Sequence, residues 1–209
     1  DDLARVELRT KVEGYTEDMA TDLRIETVIY NEAGEAVGAA VDYLSRYEQG
    51  VFEQSFDITE PMLWSVDTPT LYVAKSQVFL GRELKDEYST RFGIRTIEII
   101  SDEGMFINGE MVKFQGVCNH HDLGPLGAAV NDAAIRRQIR IMKDMGCNAI
   151  RTSHNMPAPE LVEACDEMGM MLMLETFDEW KTPKLANGYH NHFDEWAERD
   201  MVNLLHHYR

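Results

Sequence analysis

The sequence is poor in cysteine and has no long apolar run. Three cysteines occur in 209 residues, and their odd number and the absence of a Cys-x-x-Cys pair argue against a disulfide framework or a zinc site. No apolar stretch approaches the ~20 residues of a membrane-spanning helix, so no membrane partner is expected. The first residues also lack the layout of a signal peptide. Cys118, Cys147 and Cys165 are predicted to be small core residues.

Basic residues are also scarce. The chain has 20 Lys and Arg against 37 Asp and Glu, which gives a formal net charge of −17. Such an acidic chain repels polyanions, so nucleic acid is not expected as a partner. Hydrophobic residues make up 44% of the chain and aromatic residues 9%, which is enough for a substantial core and argues against disorder.

The first hundred residues show the period of two that is typical of half-buried strands. Apolar and polar residues alternate most clearly at residues 23–29, 52–58 and 72–80. Turn-forming Asn, Gly, Asp and Pro residues separate these segments. About six or seven short strands in this length predict an all-β, immunoglobulin-like sandwich over residues 1–100.

Near residue 100 the pattern changes to alternating strands and helices. Asn108-Gly109 lies between two apolar runs and predicts a hairpin. Nearly continuous apolar segments predict three further strands, at residues 112–118, 147–151 and 170–174. Short apolar strands separated by helices are typical of a parallel sheet that helices cover.

Local signals mark the ends of the first two helices. Asn131 or Asp132 is the predicted N-cap of the first, which ends at Gly146, and the second runs from Pro159 to Gly169. The predicted buried faces are Ile135, Ile139, Met142 and Met145 in the first helix, and Leu161, Cys165 and Met168 in the second.

The loops favour a (β/α)8 TIM barrel over an open doubly wound sheet. No Gly-x-Gly-x-x-Gly follows a strand, and polar residues collect after the strand ends, as they do in barrels. A third helix is predicted over about residues 192–209. A barrel needs roughly 250 residues, so residues 101–209 are expected to form only its first three strand–helix units. The predicted fold is therefore multidomain, a sandwich followed by a partial barrel.

A partial barrel leaves sheet edges and apolar surface uncovered. Alone, such a fragment is expected to associate, to exchange elements between copies or to be marginally stable. A homo-oligomer formed through the incomplete barrel is one form of this expectation.

Polar residues follow each predicted barrel strand, and the carboxyl ends of parallel strands share one rim. The candidate site residues are His120, His121 and Asp122 after the first strand, Arg151, His154 and Asn155 after the second, and Glu175, Asp178 and Trp180 after the third. Donors and acceptors of these types predict a sugar pocket. Other readings stay open: the adjacent histidines as solvated loop residues, Arg151 as a structural ion-pair partner, and Glu175 and Glu179 as solvated loop charges.

Two other chemistries fit poorly. Adjacent His120 and His121 point apart in an extended strand, and no His-Glu-x-x-His occurs, so no metal site is predicted. Ser153 is not in a Gly-x-Ser-x-Gly elbow, which argues against a Ser-His-Asp hydrolase. No cofactor is predicted.

Residues 148–154, followed by Gly169 and the apolar residues 170–173, resemble the signature of glycoside hydrolase family 2. Flanking segments at residues 92–95 and 120–124 are similar to its β-galactosidase branch. The resemblance covers essentially the whole chain. It implies a retaining exo-glycosidase acting on a β-galactoside or a related oligosaccharide, with two catalytic glutamates after the fourth and seventh barrel strands, beyond residue 209.

The resemblance also implies roles for residues of this chain. Arg151 would keep the nucleophile carboxylate ionised, and His120 and His154 would donate hydrogen bonds to sugar hydroxyls. At a magnesium position of some β-galactosidases the chain has Glu179 and Lys181. An ammonium group cannot bind a cation, so no metal is expected there.

Two segments of the chain depart from the family pattern. Asn155-Met156 replaces Tyr-Pro, and Leu174-Glu175 replaces Asp-Glu, which changes the sugar-contacting loop and removes one carboxylate.

A β-glucuronidase of the same family and a non-catalytic carbohydrate-binding module are the alternative functions. The compartment, cytoplasmic or periplasmic, is left open.

Overall fold

The computed structural model describes residues 2–44 and 50–208, and the chain divides into two compact units. The sandwich unit comprises residues 1–65 and 70–96, and the barrel unit comprises residues 66–69 and 97–209. Within the described residues, no helix combines the length and the apolar character that crossing a membrane requires.

The described part of the sandwich unit has six strands in two antiparallel sheets. They are β1 (Leu3–Lys11), β2 (Leu23–Tyr30), β3 (Ala36–Tyr43), β4 (Val51–Thr59), β5 (Tyr72–Leu80) and β6 (Glu83–Phe92). β1 pairs with β4, and the other sheet has the order β3-β2-β5-β6. The predicted sandwich is confirmed.

Alternation builds the core of this unit. In β2 and β5 every second residue is buried along nearly the whole strand, and β4 alternates in the same way. Ile25, Ile29 and Phe52 are at most 1% exposed. The alternation at residues 23–29, 52–58 and 72–80 therefore predicted both the strands and their inward faces.

The barrel unit begins with a small antiparallel sheet and continues with three strand–helix repeats. Its elements are β7 (Ile97–Ile100), β8 (Gly104–Ile107), β9 (Glu110–Val112), β10 (Gly116–Asn119), α1 (Asp132–Asp144), β11 (Ala149–Thr152), α2 (Pro159–Met168), β12 (Met171–Met173) and α3 (Phe193–Tyr208). β10, β11 and β12 pair in parallel in that order, which confirms a partial TIM barrel. The predicted end of the third helix, Arg209, lies outside the described residues.

Local chemistry fixes the turns and helix ends of this unit. Asn108 and Gly109, with φ of 53° and 78°, form the predicted hairpin turn between β8 and β9. Asn131 caps α1, because its side-chain oxygen accepts a hydrogen bond from the Ala134 N–H at 3.0 Å. Gly169 ends α2 in the left-handed conformation, and a Cβ there would come within 2.2 Å of the Val66 carbonyl oxygen.

Several expectations for the barrel unit need correction. The first barrel strand is shorter than residues 112–118, and its residues 116–118 are exposed, because only β11 pairs with it among the described strands. Met145 is 66% exposed, since it caps the C-terminus of α1 beyond its last turn. Cys118 is exposed and Cys147 half-buried, so only Cys165 is the core cysteine that was predicted.

The two faces of the parallel sheet differ. Ile150, on one face, packs with residues of α1 and α2 in a single cluster: Ile135, Ile139, Met142, Ala164, Cys165 and Met170. On the opposite face the register places Cys118, Arg151 and Met173 side by side. Because side chains alternate along a strand, Ile150 packs against the helices and Arg151 lies on the opposite face.

Candidate functional site

A guanidinium group at the end of β11 is the centre of the candidate site. Arg151 donates from Nε to Glu175 Oε1, and its Nη1 lies 3.1 Å from Cys118 Sγ and 3.4 Å from Ser153 Oγ. Its Nη2 lies 3.3 Å from His154 Nδ1. Nε and Nη1 therefore both have hydrogen-bond acceptors, which fixes the plane of the group.

Glu175 joins the ends of β11 and β12. Its Oε1 accepts from Arg151, its Oε2 lies 3.1 Å from His154 Nδ1, and its backbone N–H donates to Thr152 Oγ1 at 3.0 Å. The side chain is 22% exposed. The reading of Glu175 as a solvated loop charge is therefore wrong, because both carboxylate oxygens are engaged by side chains.

The predicted site residues fall into groups. An open cavity of about 650 Å³ is lined by Arg151, His154, Glu175, Asp178 and Trp180, together with residues of α3. The other candidates come from the loops after β10 and β11: His120, His121 and Asn155 line a separate narrow cleft, and Asp122 Oδ1 accepts from the Gly124 N–H at 2.8 Å.

His120 and Trp180 occupy the edges of this arrangement. The His120 ring meets the His154 ring edge-on, with centroids 5.2 Å apart, and so links the cleft to the Arg151 cluster. Trp180 is 70% exposed and stacks loosely against Phe193 at 6.0 Å. Of the nine predicted residues, Arg151, His154 and Glu175 are therefore in direct contact, and His120 lies against them.

Asp178 flanks the cluster with a partner that the sequence did not predict. Its Oδ1 lies 4.0 Å from His154 Nδ1 and accepts from Lys184 Nζ at 2.8 Å. The hydrogen bond from Lys184 holds the pKa of Asp178 below its ordinary value.

Glu179 is a buried anchor of the loop between β12 and α3. It is 4% exposed and accepts from His190 Nδ1 at 2.7 Å, from the His190 N–H at 3.1 Å and from the Lys184 N–H at 2.5 Å. The His190 hydrogen bond, followed by the two backbone bonds, lowers the pKa of Glu179 to about 2. A Cβ at Gly188 would lie 1.5 Å from Glu179 Oε1, so this approach requires glycine. Glu179 is not a solvated loop charge.

Cys118 in β10 and Cys165 in α2 have thiol pKa values that are shifted in opposite directions. The hydrogen bond from Arg151, with a second one from Ser153, lowers the pKa of exposed Cys118. Burial raises the pKa of Cys165 to about 12. The two shifts have opposite directions because the Cys118 thiol accepts hydrogen bonds from Arg151 and Ser153, whereas the Cys165 thiol is buried among apolar residues.

The described residues contain no cluster of three or more His, Cys, Asp or Glu side chains that could hold a metal ion. Glu179 is engaged by His190, and Lys181 Nζ lies 2.7 Å from Asp194 Oδ1.

Two models of one protein family match this chain. The model for "Glycosyl hydrolases family 2" matches residues 1–95, and that for "Glycosyl hydrolases family 2, TIM barrel domain" matches residues 98–203. The chain belongs to glycosyl hydrolase family 2. The family resemblance predicted from the sequence is thus confirmed over both units.

Individual family 2 proteins show how far the similarity extends. The chain is 50% identical over 155 residues to the β-galactosidase BoGH2A of Bacteroides ovatus, covering 74% of this chain and 18% of that protein. It is 41% identical over 149 residues to a putative β-glucuronidase of Formosa agariphila, covering 71% and 14%. The crystal structure of a family 2 member from Bacteroides cellulosilyticus matches with a TM-score of 0.86 at 31% identity, over 98% of this chain and 26% of that one. The chain thus spans less than a fifth of both curated relatives.

Proposed function

We propose that the full-length protein is a retaining glycoside hydrolase that removes terminal β-D-galactose from β-galactosides. The observation that carries this proposal is the contact of Arg151, His154 and Glu175 at the carboxyl ends of parallel strands, which is where barrel enzymes bind their substrates. The 50% identity to a β-galactosidase supports the choice of sugar.

The chemistry divides between this chain and the rest of the protein. A retaining mechanism uses two carboxyl groups about 5–5.5 Å apart, one as nucleophile and one as acid/base. By the family resemblance these glutamates belong to the barrel beyond residue 209. Residues of this chain form part of the sugar subsite: Arg151 keeps a neighbouring carboxylate ionised, and His120 and His154 bind hydroxyl groups.

Charge pairing favours a neutral sugar over a uronate. A glucuronide carries a carboxylate that needs a cationic partner. At the end of β11 Arg151 is paired with Glu175, and in the loop after β12 Lys184 is paired with Asp178 and Lys181 with Asp194 of α3. A uronate would have to compete with a carboxylate of the protein at each of these cations.

The test is hydrolysis by the full-length protein of nitrophenyl β-D-galactoside and of the matched β-D-glucuronide. We expect a higher kcat/KM for the galactoside, with retained anomeric configuration in the first product. A preference for the glucuronide would establish the alternative family activity. Binding of galactose without turnover of either substrate would instead indicate a carbohydrate-binding module.

A further inference from the structure

One nitrogen of His154 lies between two groups of opposite charge. His154 Nδ1 is 3.1 Å from Glu175 Oε2 and 3.3 Å from Arg151 Nη2. A carboxylate only accepts hydrogen bonds, and a guanidinium only donates them. In the neutral ring, Nδ1 is either protonated, and bonded to Glu175, or unprotonated, and bonded to Arg151. The two contacts are therefore alternatives.

Of the two alternative hydrogen bonds of His154 Nδ1, the one to Glu175 is favoured. An unprotonated Nδ1 would direct its lone pair at an anionic oxygen 3.1 Å away, whereas a protonated Nδ1 forms a charge-assisted hydrogen bond with that oxygen. Arg151 loses little, because its Nε and Nη1 keep their bonds to Glu175, Cys118 and Ser153.

The other charged or titratable neighbours of the ring lie farther away. Asp178 Oδ1 is 4.0 Å from Nδ1, beyond hydrogen-bond distance, and Lys184 already holds it. The His120 ring touches the His154 ring by its edge, at a centroid distance of 5.2 Å. Glu175 is therefore the group that sets the proton position.

We propose that Glu175 is a positioning residue that keeps the proton of neutral His154 on Nδ1, so that Nε2 faces the sugar as a hydrogen-bond acceptor. This inference rests on the proposed function, because it assigns a polarity to the same subsite. Both oxygens of Glu175 are used by Arg151 and His154, so Glu175 acts through them. His154 then accepts from a sugar hydroxyl, in contrast to the donor role that the family resemblance implies.

The first test reads the tautomer directly in the full-length protein. Nitrogen-15 NMR of chain labelled at the imidazole nitrogens, at about pH 8.5, where an ordinary imidazole is neutral, distinguishes the protonated from the unprotonated nitrogen. The signals lost in a His154→Gln variant identify the ring. We expect Nδ1 to carry the proton. A proton on Nε2 would overturn the proposal, even without any further variant.

The second test changes the group that sets the tautomer. Glu175→Gln keeps the shape of the side chain and an oxygen for Arg151 Nε, but it places an amide N–H donor opposite His154 Nδ1. We expect the proton to move to Nε2. Asp178→Asn is the matched control, because it neutralises the other nearby carboxylate, and it should leave Nδ1 protonated. A tautomer that follows Asp178 and not Glu175 would contradict the assignment.

The proposed function and this inference fail separately. The NMR measurement needs no turnover, so an inactive full-length protein whose tautomers behave as expected would overturn only the proposed function. In an active full-length protein, Glu175→Gln should lower kcat/KM about 10- to 100-fold. An active protein with the proton on Nε2 of His154 would overturn only the inference.

Discussion

The sandwich unit and the barrel unit bury their strands in different ways. β2 and β5 have eight and nine residues and alternate between buried and partly exposed positions, whereas β11 and β12 have four and three. An antiparallel sandwich closes its own core by packing one sheet on another. A parallel sheet must be covered on both faces, and in the described barrel unit helices cover one. On the face that the helices cover, Ile150 is 0% exposed, and on the other face Met173 is 51% exposed.

The face of the barrel sheet opposite the helices carries Arg151. Cys118 and Arg151 lie side by side on it, and the charged loops follow at its carboxyl end. On the helix-covered face, Ile150 packs in an apolar cluster with residues of α1 and α2. Alternation in the sandwich builds a core, whereas in β11 it places Ile150 against the helices and Arg151 on the opposite face.

Alkylation of the cysteines should give the largest contrast between the two faces. Iodoacetamide reacts with thiolates. Cys118 is exposed and its pKa is lowered by Arg151, whereas Cys165 is 1% exposed and burial raises its pKa to about 12. We expect Cys118 to be modified and Cys165 to stay unmodified in the folded chain, as measured by peptide mass spectrometry.

Denaturation and a variant provide the controls for alkylation. In urea, both cysteines should react at similar rates. Cys118→Ser should remove the fast reaction without exposing Cys165. Equal rates for the two cysteines in native buffer would show that the helix-covered face is as open as the other, and the comparison would fail.

Core truncation should separate the stabilities of the two units. Ile139 in α1 and Ile29 in β2 are both 0% exposed, so each change to Ala should cost about 2–5 kcal/mol. We expect Ile139→Ala to reduce hydrogen-exchange protection in α1, β11 and α2 while β2 and β5 keep theirs, and Ile29→Ala to do the reverse. Mass spectrometry of the exchanged peptides measures this.

A substitution on the exposed strand of the barrel sheet serves as the control for core truncation. Val117 in β10 is 36% exposed, so Val117→Ala should cost about 0.5 kcal/mol or less. If Ile139→Ala lowered protection equally in both units, the two would unfold as one body, and the contrast between them would not describe their energetics.

The difference between the sandwich strands and the parallel barrel strands also determines how much of the fold can be predicted from the sequence. Strands of the sandwich carry their own signal, because each one alternates along residues such as 23–29. Helix ends are equally local, as Asn131 and Gly169 show. The burial of β10 was predicted wrongly, because the cover of a parallel strand comes from elements distant in sequence.

The candidate site follows the same rule. The parallel topology was enough to bring Arg151 and Glu175 to one rim, since Arg151 lies near the carboxyl end of β11 and Glu175 follows the end of neighbouring β12. Glu179 was missed because its burial depends on the returning segment that carries Gly188 and His190. That return is tertiary, and the only local sign of it is a glycine near a histidine.

Acid should weaken the barrel unit through Glu179. Its pKa in the folded chain, about 2, is below the ordinary 4.5, so its stabilising contribution is complete above pH 4.5 and is lost as the pH falls from 4.5 towards 2. Glu179→Gln should flatten the decline in stability over this range. The measurement is the urea midpoint against pH, followed by helical circular dichroism, since α1, α2 and α3 belong to the barrel unit.

A second carboxylate tests whether the acid effect is specific. Glu198 is exposed on α3, and Glu198→Gln should leave the pH profile of the urea midpoint unchanged. If the urea midpoint of Glu179→Gln fell with pH as steeply as that of the unmodified chain, protonation of Glu179 would not be the cause of the stability lost in acid.

The smallest expected effect concerns the N-termini of α1 and α2, the two helices that cover one face of the barrel sheet. Asn131 caps α1 with its side chain, whereas Ala158 at the start of α2 provides no such hydrogen bond. Asn131→Ala should cost about 1 kcal/mol in urea unfolding, because an N–H of the first turn loses its acceptor, and Asn131→Asp should cost much less. Ala158→Ser should add stability. If neither Asn131→Ala nor Ala158→Ser moved the midpoint, the helices would owe their ends to packing against the sheet rather than to capping, and α1 and α2 would then depend on the rest of the barrel as β10 does.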